Sequence, residues 1–129
     1  MTFDDLIAAE WNRPFDWQSN HCALFAARCV DVQLGTTFEA KVRETFPVTN
    51  VRDYLHHVRV KPLEALVTEW LGPPISAAYL QKGDVVLMVR KRHEALAVQD
   101  AHQILLNGPR GVRAAPARYA VKGWRVQRA

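Results

Sequence analysis

The apolar positions change their period part-way along the chain. Phe3, Leu6, Ile7 and Trp11 recur at helical spacing and predict a short helix over 3–11. Thr2 is placed to cap it, with Asp4 and Asp5 in the first turn. Asn12-Arg13-Pro14 breaks it, and Phe15-Asp16-Trp17 reads as an extended link. Ser19 or Asn20 offers the N-cap of a second helix from about His21 to Gln33, ended by Gly35. That segment is apolar nearly all round, the pattern of a buried central helix. Helical patterns follow over 37–46, 50–58 and 62–71, stopped by Pro47 and by Gly72-Pro73-Pro74. After the Gln81-Lys82-Gly83-Asp84 turn, Val85 to Val89 reads as a central strand. Leu96-Ala97-Val98, Gln103 to Leu106 and Tyr119 to Val126 supply further strands, and Asn107-Gly108 signals a hairpin. Helices first and strands after, without alternation, predict an α+β domain in which the central helix packs on a small C-terminal antiparallel sheet.

The length, 129 residues, suits one domain over 1–129, and 49% apolar with 23% charged residues is ordinary globular composition. No stretch approaches the roughly 20 apolar residues of a membrane span, and Met1 to Asp5 is acidic where a signal peptide is basic. The expectation is therefore a protein made in a cytoplasm and not secreted by a signal peptide. Charge is uneven. Through Glu64 there are 7 basic and 9 acidic residues, and after it 10 and 4. The basic half, from Arg90, Lys91 and Arg92 to Arg128, predicts a face for an acidic protein partner, with nucleic acid as the weaker alternative. There is no internal repeat, Gly-rich phosphate loop or heptad pattern.

Cys22 and Cys29 fall about 10 Å apart along one helix, too far for a disulfide. Cys29 lies two turns inside and reads as core. Cys22 opens the helix, where the dipole favours thiolate, so it is either a nucleophile or a buried inert thiol. A nucleophile needs a histidine within reach and a polar group to orient it. The candidates are His93, in Arg90-Lys91-Arg92-His93-Glu94, and His102, in Asp100-Ala101-His102; both read more simply as loop residues. His21 points away around the helix, and His56-His57 sit on another helix. No histidine spacing suits a metal, and no cofactor is implied.

Phe15 to Ala27, with Trp17, Cys22 and the small-apolar run behind it, resembles the opening motif of a domain of unknown function encoded in phage and prophage tail gene clusters. Lys82-Gly83-Asp84-Val85-Val86-Leu87 is similar to its Gly-Asp strand, Ala95-Leu96-Ala97-Val98 to its Ala-Leu-Gly-Ile/Val strand, and Ala120 to Val126 to its terminal Ala-Trp-Arg. That family looks like a divergent branch of the NlpC-like cysteine peptidases, which share the papain-type fold. The resemblance implies Cys22 at the nucleophile position. Gln18 stands where Gly is usual, His21 where Asp is usual, and Ala95 where the catalytic histidine belongs, with His93 the substitute on the same strand face. It thus implies a tail-tip assembly protein with a decayed peptidase site, present in the host cytoplasm during assembly and then in the virion tail. Its exposed aromatics and basic second half would dock on other tail proteins. The alternatives are an active cell-wall-degrading cysteine hydrolase using Cys22 with His93 or His102, and a basic nucleic-acid-binding module.

Overall fold

The computed structural model describes residues 1–126. Helix α1 (Phe3–Glu10) starts from a capping box: Thr2 accepts from the Asp5 amide, and the Asp5 carboxylate accepts from the Thr2 amide. Helix α2 (Cys22–Leu34) ends at Gly35, whose φ of 70° few other residues adopt cheaply. Helices α3 (Phe38–Thr45), α4 (Val51–Val60) and α5 (Leu63–Leu71) follow. Strands β1 (Ile75–Ser76), β2 (Val85–Arg90), β3 (His93–Asp100), β4 (Gln103–Gly108), β5 (Gly111–Pro116) and β6 (Ala120–Trp124) form one antiparallel sheet in the order β1-β6-β2-β3-β4-β5. The α+β class and the order of helices before strands are as the periodicities predict. None of the helices among the described residues is long and apolar enough to cross a membrane.

Helix α2 lies against one sheet face. Its Ala23, Leu24, Phe25, Ala26, Ala27, Cys29 and Val30 are all buried, and they meet Leu96, Val98, Leu105 and Trp124 from the strands. Each fully buried Leu or Phe contributes about 2 kcal/mol by apolar burial. The opposite face carries a second, smaller layer of Val86, Met88, Ala97 and Ile104 under Leu80 and Tyr119. On β3, then, even-numbered side chains face α2 and odd-numbered ones face away.

Four local expectations change. The cap of α2 is His21, because Asn20 donates to Pro14 O and accepts from Arg28, and the Ser19 hydroxyl donates to Asp16. His93 begins β3 opposite Arg90, and the turn is Lys91-Arg92, at φ 50° and 69°. The later hairpin exists, but Gly108 pairs with Gly111, so Pro109-Arg110 turns it and Asn107 belongs to a strand. Strands β1 and β5 carry no strand signal: one is two residues long, and Gly-Val-Arg-Ala-Ala-Pro has a single β-branched residue.

Candidate functional site

Strand β3 is paired with β2 from His93 to Val98, but with β4 only over Val98, Gln99 and Asp100. Gln99 exchanges backbone bonds with Gly83 and Asp84 on the β2 side. Alternation therefore turns the backbone groups of Glu94 and Leu96 toward the β4 side, where no strand pairs with them. Two side chains fill that gap. The phenol of Tyr54, on α4, donates to Glu94 O at 3.3 Å, and the Leu96 amide is turned toward the Cys22 sulfur. Cys22 Sγ and Tyr54 Oη lie 3.7 Å apart. While the phenol's one hydrogen serves Glu94 O, the thiol can donate to the phenol oxygen. The two contacts form a short relay, from thiol to phenol and from phenol to the Glu94 carbonyl, with the Leu96 amide turned toward the sulfur.

This relay needs a protonated thiol. Burial pushes the Cys22 thiol above its ordinary value, outweighing the neighbouring amides and the phenol that favour thiolate. Burial likewise raises Tyr54, helped by Cys22. Both cysteines are free, and Cys29, fully buried, is also raised, first by burial.

His21 acts beneath the same helix end. Its Nδ1 accepts from the amides of Ala23 and Leu24 at 3.2 and 3.4 Å, which only the neutral ring can do. Burial, and then Arg43 and Arg28, bring its pKa down to about 4.

Beside the relay opens a cleft of about 510 Å3, walled by Phe15, Trp17, Tyr54, Leu55, Leu96 and Leu106. Cys22 reaches its floor, and His93 lines it together with Arg92, Glu94 and Ala95. His93 and Ala95 do share a strand parity, but it is that of Ala97, on the face away from α2, with Ala95 packed against both layers; Leu96 and Glu94 carry the parity that faces Cys22. No hydrogen bond joins Cys22 to an imidazole among the described residues. His102 sits in the β3–β4 turn at the far end of both strands and is no part of the cleft. His57 packs at a tilt against Phe46 and is not among the residues that line the cleft.

Two residues of the site escape sequence reading. Tyr54 looks like one more apolar position on an amphipathic helix, and Asn107 like a turn residue. Asn107 is instead 5% exposed, and its Nδ2 donates to Asn20 O, which settles which amide atom is the oxygen. Its Oδ1 is buried with no partner among the described residues, and the side chain lines the cleft.

The family model for a "Domain of unknown function (DUF6950)" matches residues 2–126. The chain belongs to this family. The match takes in both halves of the site, the helix that begins at Cys22 and the strands that carry Leu96 and Asn107. Searches of curated proteins and of solved structures each return no match. Among the described residues, no group of three or more His, Cys, Asp or Glu is arranged to hold a metal ion.

Proposed function

We propose that this protein is a non-catalytic assembly component of a phage or prophage tail, placed near the tail tip, with a papain-like, NlpC-like domain whose peptidase site has decayed. The tail assignment rests on the resemblance of the segments around Cys22, Asp84, Ala95 and Trp124. The observation that carries the non-catalytic reading is the relay. The buried thiol meets the Tyr54 phenol and lies beside the Leu96 amide, so the sulfur seals an open strand edge. Exposed Trp11 and Tyr79, and the basic surface including Arg90 and Arg118, supply contact points for acidic tail proteins. Arg128, in the same basic stretch of sequence, lies outside the described residues. On this reading the protein resides in the host cytoplasm during assembly and in the tail afterwards.

Two measurements test it. Mass spectrometry of purified virions should find the chain in fixed stoichiometry with tail proteins. Iodoacetamide at pH 7 should alkylate Cys22 of the folded protein more slowly than free cysteine. Fast labelling that Cys22→Ala abolishes and Cys29→Ala does not would instead support a second reading, a cysteine hydrolase acting on cell-wall peptides. That reading has one observation in its favour: Cys22, His93 and Asn107 line one cleft.

A further inference from the structure

We propose that the cleft beside Cys22 is a docking pocket for a single tryptophan side chain carried on an acidic segment of a partner protein. The inference rests on reading the site as a binding site rather than a catalytic one, and goes beyond it by naming the occupant.

Three features select that occupant. The walls are apolar and largely aromatic, and Phe15 and Trp17 already meet edge to face at 4.8 Å, leaving ring faces and edges for another aromatic group. The volume of about 510 Å3 is larger than one side chain needs and small for a folded element. Asn107 decides the chemistry. Its amide nitrogen donates to Asn20 O, while its Oδ1, buried on a side chain that lines the cleft, lacks a donor. A buried acceptor of this kind asks for an N–H or O–H from whatever enters. An indole N–H donates and accepts nothing, so it satisfies Asn107 without bringing an orphan of its own; a phenol would bring an oxygen that also wants a donor. Phenylalanine would fill the space and leave Oδ1 bare.

The rim selects the flanks. Val51 and Leu55 are each about half exposed at 52%, and they continue the apolar wall onto the outer surface of α4, where Arg52 and Arg59 flank them. Arg92 and His93 stand on the opposite lip, with Glu94 the one acid there. A segment with carboxylates on either side of the anchor residue matches that charge, and rim charge of this kind speeds encounter and selects partners.

The test uses the full chain and fluorescein-labelled, acetylated pentapeptides Glu-Glu-Xaa-Glu-Glu, read by anisotropy. The tryptophan peptide should bind, and replacing tryptophan by 3-benzothienylalanine, which keeps the shape and loses the N–H, should weaken binding about tenfold. The alanine peptide should lose binding altogether. Leu55→Glu and Arg92→Glu, both at the surface, should each weaken the tryptophan peptide at least about fivefold while leaving the unfolding midpoint unchanged. Equal binding of the tryptophan and benzothienyl peptides would overturn the proposal, as would an unlabelled N-acetyl-tryptophanamide that competes at the peptide's own affinity, since the flanks would then be idle. Self-association by sedimentation that Leu55→Glu abolishes would also overturn it, by making a second copy the occupant. Failure of all peptides with Cys22 still slow to alkylate removes this inference and leaves the non-catalytic reading in place; fast alkylation of Cys22 removes that reading.

Discussion

The two ends of β3 are built on opposite plans. At the Gln99 end the strand is paired on both sides, and among the described residues no buried side-chain N or O there lacks a partner. Asp84, 1% exposed, accepts from the Gln81 and Val126 amides and from Arg125, while Gln33 bridges Cys29 O and Gly83 O. At the Glu94 end β4 has drawn away. There a thiol and a phenol stand in for strand partners, one amide oxygen is unmet, and a cleft has opened. Two cysteines of one helix report the difference: Cys29 is simply core, whereas Cys22 is part of a polar seal. A closed sheet end leaves nothing for a ligand to do, and a splayed one exposes groups that something must satisfy.

Substitutions can break this contrast. Removing Asp84 strips the closed end of a buried carboxylate with three partners, and Asp84→Ala should cost about 3 kcal/mol or more in urea unfolding, the scale of a broken buried ion pair. A cost below that of any open-end substitution would void the contrast. Next is acid sensitivity at the open end. His21 holds its proton with a pKa of about 4 in the fold and near 6.5 when unfolded, so the unfolded chain binds the extra proton between those values. The neutral-ring contribution is complete above pH 6.5 and is lost as pH falls toward 4, about 3 kcal/mol in all. His21→Asn, which keeps a capping oxygen, should flatten the stability-against-pH curve in that window. If the curve keeps its slope, the proton uptake belongs to another group.

Smaller effects sharpen the picture. Cys29→Ser buries a hydroxyl in apolar core and should cost about 1–2 kcal/mol. Cys22→Ser, whose hydroxyl can take over the contact with Tyr54, should cost less than half of that; equal costs would mean that the relay contributes nothing. Tyr54→Phe removes one link, and about 1 kcal/mol of stability is expected to go with it. In that variant Cys22, but not Cys29, should become easier to alkylate.

Much of the frame was legible from periodicity, because helical and strand spacings record which face each residue buries. The run from Cys22 to Val30 announced a buried helix, and Val85 to Val89 a central strand. Capping was legible where the chemistry is common, at Thr2, and illegible at His21, since an imidazole serves as a cap only when its surroundings keep it neutral. Cys22 was singled out by its place at a helix start. Its character was not, because a helix end favours thiolate while burial opposes it, and only the packing sets which is larger.

Local sequence determined the α+β order, the buried helix and the position of a thiol at its start, all of which follow from spacing along a few turns. Tertiary structure alone decided that β4 leaves β3 after Val98, that Tyr54 arrives from 32 positions away to meet the sulfur, and that Asn107 turns from a loop residue into a buried acceptor. Those outcomes depend on contacts between segments distant in the chain, and a periodicity carries no information about which distant segment will fill a gap.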